Sequence, residues 1–146
     1  MGGRGDDTIR GTAADNLLVG GRGDDRLLGG PGDDILVGGP GRDVLAGGKG
    51  RDLFVFATPR DSAVATGTDS IRDFTPGIDL LDLTALTGGT AHFLGSAAYT
   101  GAERELRIAT TEDRTQIFYD ADSDRLTDFR LELSGTPQID PDDILV

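Results

Sequence analysis

Acidic side chains recur at a fixed interval through the first third of this chain. Asp7, Asp25, Asp34, Asp43 and Asp52 share a nine-residue register, and Asn16 fills its one gap. If every second repeat lies on the same side of a coil, these side chains form rows one strand spacing apart, about 4.8 Å. Such a row repels itself when bare. Calcium takes six or more hard oxygen ligands, so the register points to calcium held between Asp7 and Asp25, Asp25 and Asp43, and Asp34 and Asp52. Asn16 with Asp34 makes a weaker fourth site, one charge short. Turn carbonyls at Gly3, Gly5, Gly21, Gly23, Gly30, Gly32, Gly39, Gly41, Gly48 and Gly50 are the candidate neutral ligands. The rows are expected to hold about three to five ions.

The elements that must position these groups follow from the repeat itself. Six nonapeptides run from Gly2 to Val55: GGRGDDTIR, GTAADNLLV, GGRGDDRLL, GGPGDDILV, GGPGRDVLA and GGKGRDLFV. Glycine-rich turns bring carbonyls inward, and the last three residues of each copy are β-prone with an apolar centre. Two repeats therefore make one coil. The eighth-position residues Ile9, Leu18, Leu27, Leu36, Leu45 and Phe54 stack inside it as a thin core. One repeat cannot bury its apolar residue alone; stacked neighbours can. Position five, with Asp6, Asp15, Asp24, Asp33, Arg42 and Arg51, is expected to face outward and tune the field. The fold class is all-β: a right-handed parallel β-roll of nonapeptide repeats over residues 1–55, then a C-terminal antiparallel β cap over 56–146. Cap strands are expected at Thr68–Phe74 and Ile78–Leu83. The alternating pairs Leu106/Ile108 and Ile117/Tyr119, and the run Phe129/Leu131/Leu133, mark further ones.

The pattern G-G-x-G-x-D-x-U-x resembles the calcium-binding repeats-in-toxin family, of which this nonapeptide is the defining signature. Residues 69–74, DSIRDF, and 77–86, GIDLLDLTAL, are similar to the C-terminal domain of serralysin-type metalloproteases, as is the later YDADSD with TDF. The repeat modules of secreted mannuronan C5-epimerases are similar too. These resemblances imply a module that folds on calcium outside the cell and carries a type I secretion signal. The terminal run Asp142-Asp143-Ile144-Leu145-Val146 is similar to the motif read by type I exporters. The chain opens flush with a repeat, without a charged-then-apolar leader, and so reads as a piece of something longer.

Two other acidic groups could ligate calcium. Asp69, Asp73, Asp79 and Asp82 lie near the roll–cap junction; the alternative is turn and cap work. Asp120, Asp122, Asp124 and Asp128 sit at positions one, three, five and nine of an EF-hand-like loop. There Arg125 stands where glycine is expected and Leu131 where glutamate is, so a solvated hairpin loop is the other reading.

Composition excludes several classes. A formal charge of −12 is the wrong sign for nucleic acid or an anionic membrane surface. No apolar run approaches the roughly 18 residues of a membrane span. Without cysteine there are neither disulfides nor thiolate metal sites. His92 is the only histidine, so the H-E-x-x-H zinc site of a serralysin-type protease cannot form in this chain. The expectation is a non-catalytic calcium-binding module that supports secretion and stability of a larger extracellular protein. The alternative is a module binding an anionic, alginate-like polysaccharide, for which Arg4, Arg10, Arg22 and Arg26 are candidates.

Overall fold

Short strands form where each nonapeptide ends in aliphatic residues, and glycine turns separate them. The computed structural model describes residues 1–65, 67–135 and 138–146. The repeats supply β1 (Gly3–Arg4), β2 (Thr8–Arg10), β3 (Leu17–Val19), β4 (Gly21–Arg22), β5 (Arg26–Pro31), β6 (Ile35–Val37), β7 (Val44–Lys49) and β8 (Leu53–Val55). Beyond them lie β9 (Asp69–Ile71), β10 (Leu80–Asp82), the one-turn helix α1 (Thr84–Thr87), β11 (His92–Phe93), β12 (Glu105–Thr110), β13 (Arg114–Asp120), β14 (Phe129–Ser134) and β15 (Ile144–Leu145).

The aliphatic ends of odd and even repeats part into two sheets, as a two-repeat coil requires, while β1 and β4 pair in a small parallel sheet of their own. One runs β3, β6, β8, β10, β15; the other begins β2, β5, β7, β9 and continues into β14, β13, β12 and β11. Eighth-position residues pair in register, Ile9 with Leu27, Leu27 with Leu45 and Leu18 with Leu36, and Leu27, Leu36, Leu45 and Phe54 are fully buried between the sheets.

The nine-residue period and the stacking end at different places. After Val55 the period is lost, yet β9 sets Ile71 beside Leu45 and β10 sets Leu81 beside Phe54. Both segments keep the D-x-U-x half of the repeat, Asp69-Ser70-Ile71-Arg72 and Asp79-Leu80-Leu81-Asp82, and lose only the glycine turn. The antiparallel strands then extend the β9 edge: β14 pairs parallel with β9, while β13 pairs antiparallel with both β14 and β12. Leu106, Ile117, Tyr119, Phe129, Leu131 and Leu133 are buried there, and Phe56 meets Phe129 edge-on at 5.4 Å between centroids.

Two helical turns lie outside the expected strands, α1 and a 3-10 turn at Pro141–Asp143. In α1, Asp82 Oδ1 accepts the Thr84 N–H at 2.9 Å, Leu86 buries inward, and Gly88 closes the turn in the left-handed conformation at φ 68°. Ala85 and Leu86 favour helix, and the buried Leu86 settles it. No helix of the described residues is long and apolar enough to cross a membrane.

Candidate metal centre

Four sixth-position aspartates, Asp25, Asp34, Asp43 and Asp52, perform the same task with one oxygen and leave the other free. Asp25 Oδ1 accepts the backbone N–H of Asp7 at 2.7 Å, Asp43 that of Asp25 at 2.7 Å, Asp34 that of Asn16 at 2.8 Å, and Asp52 that of Asp34 at 2.9 Å. The rows run on past the repeats. Asp69 Oδ1 takes the Asp43 N–H at 2.7 Å, and Asp79 Oδ1 takes the Asp52 N–H at 3.0 Å. One carboxylate oxygen thus ties each coil to the next. The Oδ2 atoms of Asp25, Asp34, Asp43, Asp52 and Asp69 are buried with no hydrogen-bond partner.

Buried carboxylate oxygens without partners are costly. Burial is the main cause of the raised pKa values of Asp25, Asp43, Asp52 and Asp69. It lifts Asp43 from 3.8 to about 7, with Asp25, Asp24 and Asp61 adding repulsion against the opposing hydrogen bond from Asp25. It lifts Asp52 to about 6, helped by Asp79, Asp34 and Asp73, and Asp69 to about 9, helped by Asp43, Asp61 and Asp24. Asp25 is raised for the same reason.

Neutral oxygens converge on the same points. A Cβ placed on Gly20 would collide with Asp25 Oδ2 on one side and the Gly38 carbonyl on the other; on Gly29, with Asp34 Oδ2 and the Gly47 carbonyl. Hence glycine at position one keeps open a cradle between a free carboxylate oxygen and the next coil's carbonyl. This donor set suits a hard cation such as calcium. The first-position carbonyls Gly20, Gly29, Gly38 and Gly47 were not among the expected ligands. The invariant glycine at position one was the available signal. The second- and fourth-position carbonyls of Gly3, Gly5, Gly21, Gly23, Gly30 and Gly32 face the same position one coil on, against Gly21, Gly23, Gly39, Gly41, Gly48 and Gly50.

The remaining expected groups scatter. Asp7 and Asn16 stand half-buried at the start of the two rows, and their side chains turn back to the N–H groups of Gly3 and Thr12. Asp69 belongs to one row with Asp43, and Asp79 to the other with Asp52. Asp73 instead accepts the N–H groups of Gly47 and Gly48, both at 3.0 Å, where a further coil would otherwise sit. Asp82 caps α1. Asp120, Asp122 and Asp124 form, among the described residues, the one group of three acids with ligand atoms within 4.8 Å of one another. Asp120 is buried, however, and its oxygens already accept N–H groups of Asp122, Ser123 and Arg125. Asp128 accepts that of Ala121. This is the hydrogen bonding of a tight loop.

Position five does more than tune the field. Asp6 accepts the N–H of Asp24, Asp15 that of Asp33, Asp24 that of Arg42 and Asp33 that of Arg51. These bonds run opposite in direction to those of position six, so every coil both gives and receives. The aspartates stop at Arg42 and Arg51, where no further fifth-position N–H follows. Two other contributors escaped the repeat pattern. Asp61 is buried and accepts the N–H groups of Ala57 and Thr58, and the Ser62 hydroxyl accepts the Asp69 N–H at 2.7 Å.

The family model described as "Peptidase M10 serralysin C terminal" matches residues 1–146. Among solved structures, the AlgE6R3 subunit of the Azotobacter vinelandii mannuronan C5-epimerase is similar. It has 33% identity and a TM-score of 0.77 over 99% of this chain and 80% of that one. The AlgE6R2 subunit of the same enzyme has 34% identity and a TM-score of 0.68 over 94% of this chain and 91% of that one. No curated protein matches.

Proposed function

The chain belongs to the serralysin C-terminal family of M10 peptidases, and from that premise we propose that it is a non-catalytic calcium-binding module of a secreted protein, folding outside the cell after type I export. The observation that carries this reading is the line of buried Oδ2 atoms with no protein partner. Calcium, when bound, neutralises those oxygens. The residues to hold it are Asp7, Asp25, Asp43 and Asp69 on one side, and Asn16, Asp34, Asp52 and Asp79 on the other, with first-position carbonyls between.

The chain's own part is coupled ordering. Without charge neutralisation the acidic rows oppose stacking and the glycine turns stay loose, a state suited to threading through an exporter. Once the coils stack, each Oδ1 locks the N–H of its neighbour. The terminal strand then has a place to dock. Ile144 sits beside Leu81, and Asp143 Oδ1 accepts the Gly77 N–H at 2.7 Å. On this reading the export motif at 142–146 is free only before the roll forms. Titrating calcium into chelator-stripped protein by isothermal calorimetry should reveal several ions per chain. Magnesium should not substitute, because it demands a tighter octahedral site. Absence of heat, or equal binding of both metals, overturns the reading.

A second reading draws on one further feature. A groove of about 680 Å³ lies between the odd-repeat sheet and the β13–β14 hairpin, lined by Arg26, Arg42, Arg72 and Arg114 among acidic and hydroxyl groups. Arg42 pairs with Asp24, and Arg114 with Asp113 and Glu132. We infer that Arg26 and Arg72 could meet carboxylates of an anionic polysaccharide. Alginate titrated at saturating calcium should bind, and Arg26→Ala with Arg72→Ala should weaken it about tenfold. Binding that ignores the double variant removes this reading.

A further inference from the structure

The two aspartate rows end in different ways. Within the odd row each sixth-position N–H is answered by the aspartate one coil on: Asp7 by Asp25, Asp25 by Asp43 and Asp43 by Asp69. Among the described residues no later aspartate answers Asp69. Its N–H goes instead to the Ser62 hydroxyl at 2.7 Å. On the even row the last N–H, that of Asp79, goes to the Thr75 carbonyl at 2.9 Å, while Asp79 Oδ2 accepts the Thr75 N–H at 2.8 Å. With Oδ1 on the Asp52 N–H, both Asp79 oxygens are occupied, and the even row is closed by its own turn. The odd row is closed from a separate segment, and Asp69 Oδ2 stays bare.

Ser62 is fully buried and uses its hydroxyl both ways. While accepting the Asp69 N–H it donates to the Arg130 carbonyl, and its own carbonyl accepts the Arg130 N–H at 3.1 Å. Ala63 bridges Phe129 beside it, and Arg130 Nε donates to Thr68 Oγ1 at 2.9 Å. One residue thus joins the backbone of the last odd-row aspartate to the start of β14. From there β9 and β14 pair directly, with Asp69 beside Leu131. A buried N–H without an acceptor is costly, so loss of the hydroxyl leaves the Asp69 backbone unanswered or displaced. An acid in this place would add charge to a carboxylate already pressed by Asp43, Asp61 and Asp24. A neutral hydroxyl ends the row without that repulsion.

We propose that Ser62 is the positioning residue that terminates the odd row. It holds the Asp69 backbone so that the site between Asp43 and Asp69 can close on its ion, and through Arg130 it ties the docking of the cap to that site. The assignment rests on the calcium reading above and adds to it a single point of contact between the last odd-row site and the antiparallel strands.

The ions held by the full chain are counted and ranked by competition with a chromophoric calcium chelator, and amide exchange is followed in the same samples. Ser62→Ala should weaken one ion about tenfold or more and leave the others within about twofold. Exchange of the β14 amides should quicken, while those of β5 and β6 stay protected. Asp69→Asn should weaken the same ion, and Ser62→Ala added to it should cost nothing further. In the wild type, protection of the Asp69 and Arg130 amides should rise at one calcium concentration, a result that needs no variant to fold. Equal weakening of every ion by Ser62→Ala, an additive loss in the double variant, or separate midpoints for the two amides overturns the proposal. A wild type that takes up no calcium defeats the calcium reading itself. Several ions in the wild type, all held unchanged by Ser62→Ala, defeat this proposal alone.

Discussion

In excess chelator at neutral pH the protein should lose most of its β-sheet circular dichroism, and mild acid should restore part of it without any metal. The raised pKa values of Asp52, Asp43 and Asp69, about 6, 7 and 9 against 3.8, set both halves of this expectation. At about 1.4 kcal/mol per unit, keeping these three groups folded at pH 7 costs on the order of 10 kcal/mol. Net domain stability is typically about 5–15 kcal/mol. The metal-free roll is therefore at or beyond its limit at neutrality. A carboxylate whose pKa rises on folding stabilises the folded state below its ordinary value and loses that contribution as pH climbs through the folded one. Ordered structure in chelator should accordingly be greatest near pH 4 and decline steadily as the pH rises, with the loss from Asp52 complete near 6 and that from Asp43 near 7. With calcium the signal should be flat across that range. A chelated protein whose spectrum matches the calcium-loaded one at pH 8 defeats the charge-ladder account.

Asp43→Asn should act with opposite signs in the two conditions. The amide oxygen can still accept the Asp25 N–H, so the tie between coils survives. The charge shared with Asp25 and Asp69 does not. With calcium, the half-saturating concentration should rise about tenfold or more, since ligand charge tunes calcium affinity. In chelator the same variant should be more ordered than the wild type. Removing the acid relieves about 4 kcal/mol at pH 7. Burying an unpartnered amide N–H returns roughly 1–3 kcal/mol of that. Asp24→Asn serves as the comparison: Asp24 is exposed at position five, accepts the Arg42 N–H and reaches Asp43 only as a lesser source of repulsion, so its calcium midpoint should shift far less. Thermal melts and calcium titrations of both variants give the answer. If Asp43→Asn destabilises the chain equally with and without calcium, the residue's role is hydrogen bonding alone.

Much of the site was legible because it is periodic. A nine-residue register with glycine first, aspartate sixth and an apolar residue eighth dictates which side chains share a row and which share the core. Asp25, Asp34, Asp43 and Asp52 stand where that register puts them. In the folded chain the terminal run is a 3-10 turn over Pro141–Asp143 followed by β15 beside β10.

Where the period lapses, local pattern stops carrying the information. The step along a row is 18 residues within the repeats but 26 from Asp43 to Asp69 and 27 from Asp52 to Asp79. No spacing rule links those positions. Ile71 and Leu81 do so, by burying against Leu45 and Phe54 and so bringing their aspartates onto the rows. The opposed direction of the fifth- and sixth-position hydrogen bonds was likewise settled only by stacking. A side chain can answer a neighbouring coil's N–H only after the coils have met. Sequence thus determined the repeating relations between residues close in register. Tertiary packing decided everything that depends on which distant segment closes the end of the stack, because burial rather than periodicity selects it.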